Sequence, residues 1–257
     1  TNPNIRFLVP YKDSALCVTL GPPPRSYQGM SPVRFNVPVC ELSEYTQNPY
    51  LARGQETGGY PYDLSVIVMA YNKLKYTKMC VESLLRFMPK NLKYELILVN
   101  HGSSDGTKEY FESIHPDKQL DISINGGGSG ALDRIHEGKY TLYISNDVIL
   151  TPHAIENMLR CIESDDSIAW VVPSTANICN YQTLPLQYDT IDDLWKAAEK
   201  NNVSDPFRWE QRSRLCNPID LKKTEIFDKL KSSQYGYGSK NPFAFHDDKL
   251  SLFLRRN

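Results

Sequence analysis

Leu64-Ser65-Val66-Ile67-Val68-Met69 is an apolar run broken once by serine and rich in β-branched side chains. A run this short, without helical periodicity, suits a strand covered on both faces, and such strands belong to parallel sheets. Working outward, residues 77–87 carry Met79, Cys80, Leu84 and Phe87 near helical spacing, and Pro89 ends that helix. Tyr94 to Val99 is a second buried-strand pattern, and the turn His101 to Gly106 leads into a helix from Thr107 to about Ile114. A short strand near Leu120–Ile124 precedes the glycine-rich stretch Asn125 to Gly130. Tyr140–Ile144 reads as a fourth strand ending at Ser145-Asn146-Asp147, His153–Glu163 as the next helix with Pro152 at its start, and Ala169–Val172 as the strand after it. Strand and helix alternating at this spacing predict an α/β fold of βαβ units around one mostly parallel sheet. In such sheets ligands bind beyond the carboxyl ends of the strands, which selects the segments after Met69, Val99 and Ile144.

The remaining sequence sets bounds. With 257 residues the chain is long enough for one large domain with an extension. It is 40% hydrophobic and 23% charged, and its net charge of −1 gives no sign of a nucleic-acid partner. The apolar runs are too short for a membrane span, and the start lacks a signal-peptide layout, so a cytoplasmic chain, at most peripheral to a membrane, is expected. Six scattered cysteines with no C-x-x-C pair read as reduced thiols. Residues 1–61 are punctuated by Pro22, Pro23, Pro24, Pro32, Pro38 and Pro49 and read as an extension of short strands and turns that wraps the main domain or meets a partner.

Four segments carry candidate chemistry. Asp147, at the end of a buried strand, can hold Mg²⁺ or Mn²⁺ shared with substrate phosphates, and Asn146 and Asp147 equally suit a turn cap. In the segment after the second strand, small residues allow close backbone approach to a ligand, while Asp105 or Thr107 can cap the following helix. The Gly126–Gly130 loop offers similar access, without the Lys-Ser/Thr ending of a P-loop. His246-Asp247-Asp248 precedes a helical pattern with Leu250 and Leu254 on one face, so its acids are either a helix cap or a general base facing a cleft. Leu194, Trp195, Ala197 and Ala198 read as a packed helix face.

Taken in order, these segments resemble the inverting family 2 glycosyltransferases of the GT-A fold. Leu64 to Asn72 looks like the family's opening strand, and Leu98 to Thr107 like its Val-Asp-Asp-Gly-Ser signature. Tyr143 to Pro152 is similar to its Asp-x-Asp region, and Phe245 to Leu250 to its Glu-Asp base motif. The resemblance covers about residues 62–256. It implies a nucleotide-sugar-binding half at 62–172 and an acceptor half at 173–257 that continues beyond the end of this chain. It implies that Ala70, Tyr71, Asn100, His101, Ser103, Asp105, Gly128 and Asn146 surround a nucleotide sugar and that Asp147 binds a divalent metal, Mg²⁺ or Mn²⁺. Asp247, with Asp248 as the alternative, would deprotonate the acceptor, so that a sugar passes from a nucleoside diphosphate to a saccharide or other hydroxyl with inversion. Four positions depart from the pattern. Asn100 and His101 replace its acidic pair, which leaves uridine, thymidine and guanosine donors open; Ser145 replaces the first Asp of Asp-x-Asp; and His246 replaces the Glu beside the base. The competing reading is a non-catalytic GT-A domain that binds a nucleotide or a protein partner. A nucleotidyltransferase is disfavoured, because Met69 to Lys73 holds no glycine and a single Lys. The oligomeric state, a homo-oligomer included, is open.

Overall fold

The computed structural model describes residues 6–10, 16–19, 59–122, 135–176, 178, 182–184, 186–212 and 215–225. Gly128, Asp247 and Asp248 lie outside them, as does the glycine-rich loop. Strand β3 (Tyr62–Ala70) is the centre of the sheet. It pairs in parallel with β4 (Tyr94–Asn100) on one side and β6 (Gly138–Ser145) on the other, and β5 (Lys118–Asp121) extends the sheet beyond β4. Beyond β6, β11 (Ile219–Lys223) runs antiparallel, followed by β8 (Ile168–Val171). These six strands form a mostly parallel sheet, as the spacing predicts. Two further strands lie beyond β8. β1 (Arg6–Pro10) pairs in parallel with β8 and antiparallel with β10 (Trp209–Gln211), so part of the N-terminal extension is a strand of the main sheet. A separate three-stranded sheet is made of β7 (Val148–Ile149), β2 (Leu16–Thr19) and β9 (Ser174–Thr175).

Alternation along the strands sorts the side chains into two layers. Val66, Val68, Leu96, Leu98, Leu142 and Ile144 pack against the helices: α1 (Leu74–Phe87) through Cys80, Val81 and Leu84, α2 (Thr107–Ile114) through Phe111, and α3 (Ala154–Glu163) through Ile155, Met158 and Ile162. Each such side chain, fully buried, contributes about 1.5–3 kcal/mol. Ile67, Ile97 and Val99 face the other way with Met69, Leu120 and Tyr143. Helix α4 (Ile191–Asn201) buries Leu194 and Ala198 against Ile149 and Leu184, which makes it the packed face read from the sequence. Trp195 caps this contact, edge-on to Phe87 and with its Nε1–H donated to the Leu150 carbonyl at 3.2 Å. Cys80 and Cys161 are buried free thiols.

Two polar networks fix the sheet. At its amino edge the buried Glu95 accepts from the Ser65 hydroxyl and the Glu137 N–H, and pairs with Lys118 at 2.8 Å. The Ser65 hydroxyl in turn accepts from the Gly138 N–H at 2.8 Å. On β11, Asp220 and Lys222 are both buried and pair at 2.8 Å, with Trp170 donating to Asp220 at 2.6 Å and the Lys222 ammonium 4.6 Å from the Tyr143 ring centre.

Two stability predictions follow from these contacts. A Cβ at Gly138 would lie 2.4 Å from the Ser65 backbone nitrogen, so Gly138→Ala has to push β6 away from β3. We expect a loss of about 1–3 kcal/mol, read as a lower urea midpoint at unchanged slope. The Glu163 carboxyl, which accepts from the Tyr140 hydroxyl at 2.9 Å, is raised from 4.5 to about 8 by burial, against the opposing pull of Lys223. The folded chain therefore holds a proton that the unfolded chain releases, and stability falls as pH rises from 4.5 to about 8. Glu163→Gln should raise Tm at pH 8.5 and leave it nearly unchanged at pH 5.

Candidate functional site

The carboxyl ends of β3, β4 and β6 lie side by side, with Ala70 opposite Asn100 and Met69 opposite Ser145. Three asparagine carboxamides tie them together. The Asn100 side chain accepts the Ser103 N–H and donates to Asp121, each at 2.9 Å, which holds the β4–α2 turn against β5. Asn72 accepts the Ser104 N–H at 2.9 Å through its side chain, and its own N–H goes to the Ser103 hydroxyl at 2.8 Å. Asn146 donates to the Asn72 carbonyl at 2.9 Å and to the Thr77 hydroxyl at 2.8 Å, joining the end of β6 to the start of α1. Backbone bonds from His101 to Ala70 and from Asn146 to Met69 complete the frame.

Asp105 serves two helices. One carboxylate oxygen accepts from Leu74 N–H at 2.7 Å at the start of α1, and the other takes both Thr107 donors at the start of α2. These bonds hold its carboxyl below the ordinary range despite the opposing effect of burial. Asp105, Ser103, Asn100 and Asn146 therefore all have partners within the protein. The side chains left over are Tyr71, Lys73, His101, Ser145 and Asp147.

His101 is the most unusual of them. It is 5% exposed, and neither ring nitrogen has a hydrogen-bond partner. Burial lowers its pKa, which keeps the imidazole neutral. A buried polar group without a partner costs free energy, and such groups call for a reason. One residue beyond the Ala70–Asn100 pair, His101 and Tyr71 leave adjacent strands together, and Tyr71 is 47% exposed. By strand alternation both belong to the Ile67–Ile97 face, opposite the helices. An exposed aromatic ring beside an imidazole with free nitrogens can stack on a flat heterocycle and hydrogen-bond its edge.

Asp147 is half-buried in the tight turn between β6 and β7. Burial raises its carboxyl, while its own backbone N–H and the Lys73 ammonium act in the other direction. Among the described residues no group of three or more His, Cys, Asp or Glu side chains could hold a metal ion. Asp147 can supply one carboxylate ligand to a hard cation such as Mg²⁺, which binds through one or two carboxylates and completes its shell with water and phosphate oxygens.

The sequence reading did not assign Asn72, Lys73 or Thr77 to the site. Asn72 and Lys73 have positive φ values of 53° and 62°, unusual for two consecutive residues that are not glycine. The only local sign is an Asn between the strand and helix patterns, because their partners lie some 30 or more residues away in Ser103, Ser104 and Asn146.

The family model described as Glycosyl transferase family 2 matches residues 65–215. Glycosyltransferase GlyG of Streptococcus pneumoniae is 28% identical over 222 residues, covering 76% of this chain and 71% of that protein. An uncharacterized glycosyltransferase of Haemophilus influenzae is 30% identical over 148 residues, covering 54% of this chain and 45% of that protein. The match to the chondroitin synthase of Pasteurella multocida, 29% identical, covers 45% of this chain and 12% of the synthase, so the chain spans less than half the length of these two relatives. Among solved structures, the mannosyltransferase PcManGT of Pyrobaculum calidifontis, in complex with GDP-Man and Mn²⁺, is 16% identical with a TM-score of 0.47, over 82% of this chain and 57% of that one. The family match takes in more than half of the chain and all three strand ends that frame the crevice: on a GT-A fold, this chain belongs to glycosyl transferase family 2.

Proposed function

We propose that this chain is an inverting glycosyltransferase that moves a sugar from a nucleoside-diphosphate sugar to a saccharide or other hydroxyl acceptor. The observation that carries the reading is the division of labour at the strand ends. The asparagines and Asp105 are bound up in the hydrogen bonds that join the strand ends, while Tyr71, His101, Lys73 and Asp147 stand at the same strand ends with their side-chain hydrogen-bonding or charge capacity free. Tyr71 and His101 take the nucleotide base, the backbone around Ala70 takes the ribose, and Asp147 marks the diphosphate end. Residues 62–172 form the donor half and residues 173–257 the acceptor half.

A divalent ion held by Asp147, when bound, would neutralise charge on the departing diphosphate. This chain's own residues orient the donor. The Asn146 carboxamide fixes the turn that bears Asp147 against α1, and Asp105 holds the starts of α1 and α2 at a constant separation. The acceptor hydroxyl gives its proton to a carboxylate on the opposite side of the sugar, a role we assign to Asp247, with Asp248 as the alternative. Attack in line with the departing phosphate inverts the anomeric carbon.

The first test is a thermal-shift panel of UDP, GDP, dTDP and CMP, each with and without Mn²⁺, on wild type and Asp147→Ala. A ligand that binds only the folded state stabilises it by about 2.7 kcal/mol at a hundred times its Kd. We expect an upward shift with one nucleoside diphosphate, larger with Mn²⁺, and the Mn²⁺ increment lost in the variant. No shift with any of the four would favour a non-catalytic domain. A second test uses pH. A neutral His101 can accept a base N–H, and a protonated one cannot, so the Kd of the bound nucleotide should rise once pH falls through the imidazole's pKa, which burial holds below the ordinary 6.5. In His101→Asn that acid-side rise should flatten, measured by titration calorimetry from pH 5 to 8. An identical profile in wild type and variant would remove His101 from the base pocket.

A further inference from the structure

Lys73 sits where its own helix gains nothing from it. It is the N-cap of α1, a position that favours Ser, Thr, Asp or Asn, and its side chain makes no capping bond. The first turn of α1 holds no acidic residue of its own, and Lys73 adds a cation to the positive end of the helix dipole, where the Asp105 carboxylate from the next turn already binds the Leu74 N–H. The Lys73 φ of 62° adds the cost of a left-handed conformation in a residue with a Cβ. The neighbouring backbone is pinned all the same: Asn146 holds the Asn72 carbonyl, and Ser103 holds the Asn72 N–H. Lys73 is thereby fixed at the start of α1 beside the Asn146-Asp147 turn.

Three features give this place the character of an anion site. The Lys73 ammonium acts electrostatically on Asp147, and the two form no ion pair within 4.0 Å among the described residues. The bond from Asn146 to the Asn72 carbonyl sets the Asp147 turn beside Lys73, so a cation and an anion stand near each other without pairing. Ser145 stands on β6 where a second carboxylate would otherwise add negative charge. On the same sheet end lies the buried His101 with both nitrogens unpartnered, a polar group that points independently to a bound ligand.

We propose that Lys73 binds the distal phosphate of the donor and carries part of the charge that the leaving diphosphate acquires. The inference rests on the donor site proposed above. In the transfer, the bond between the anomeric carbon and the distal phosphate oxygen breaks and its electron pair stays on that oxygen. The acceptor oxygen forms the new bond to the anomeric carbon, and its proton goes to the carboxylate base. Negative charge therefore grows at the phosphate oxygen, and an ammonium beside it stabilises the product side of the step more than the reactant side.

The test compares nucleoside diphosphates with the matching monophosphates, UDP with UMP, GDP with GMP and dTDP with dTMP, on wild type, Lys73→Gly and Lys73→Arg. Lys73→Gly relieves the left-handed backbone, so its Tm should equal or exceed that of wild type. Its Kd for the diphosphate should nevertheless rise about tenfold, while its Kd for the monophosphate stays within about twofold. Lys73→Arg should keep most of the diphosphate affinity. A role confined to folding would move stability and both affinities together. Equal losses for diphosphate and monophosphate, or no loss in Lys73→Gly, would overturn the assignment while leaving the donor site standing. Failure of wild type to bind any of the diphosphates would overturn the donor site, and the role of Lys73 with it.

Discussion

The Asn146 carboxamide is the bond on which the crevice depends. Its two donors reach the Asn72 carbonyl and the Thr77 hydroxyl, so the end of one strand is tied to the start of a helix that follows a different strand. Both acceptors belong to the stretch Asn72–Thr77, which leaves the sheet with left-handed backbone at Asn72 and Lys73. Without that tether, the start of α1 would be held only from the β4–α2 turn, by Ser103, Ser104 and the Asp105 carboxylate. The amide suits this position better than a carboxylate would, because the partners are acceptors and only an N–H can satisfy them. Asn100 and Asn72 tie down neighbouring turns in the same way, through hydrogen bonds to Ser103, Asp121 and Ser104.

Much of the fold was legible because the central strands are buried on both faces and therefore largely apolar. Leu64 to Met69, Tyr94 to Val99 and Tyr140 to Ile144 all appear as strands within one or two residues of their observed ends. What was not legible had non-local causes. Helix α1 begins at Leu74 and not at Thr77 because its first N–H is capped by Asp105 from the next turn, a partner that no local pattern reveals. Strand β11 holds Asp220, Lys222 and Lys223, a polar pattern that suggests surface. In the folded chain Asp220 and Lys222 neutralise each other between β6 and β8. β5 is found at Lys118–Asp121, slightly before the stretch that its apolar residues suggested.

The site was legible in part, and for a similar reason. Motif order located the three strand ends, and Asp147 and Tyr71 were named from it. Sequence could not divide the polar residues there into those that build the crevice and those that face it. Asp105 and Ser103 have the composition of ligand-binding residues, yet every carboxylate and hydroxyl partner they show belongs to the protein itself. His101 looked like a departure from a pattern, and its meaning appears only when its two nitrogens are found buried without partners. Lys73 entered the sequence reading only as the single Lys of Met69 to Lys73, since an exposed lysine at a helix start is common until its backbone angle is known.

The first strand has a bearing on how the molecule comes into being. β1 lies between β8 and β10, with Phe7 opposite Trp170 and Leu8 opposite Gln211. On the ribosome these early residues emerge long before either partner, and they must wait with their peptide groups hydrated while the central sheet assembles behind them. Pairings so distant along the chain close slowly. The order of synthesis and the order of completion thus differ for this segment: made before both of its partners, it can pair only once they exist.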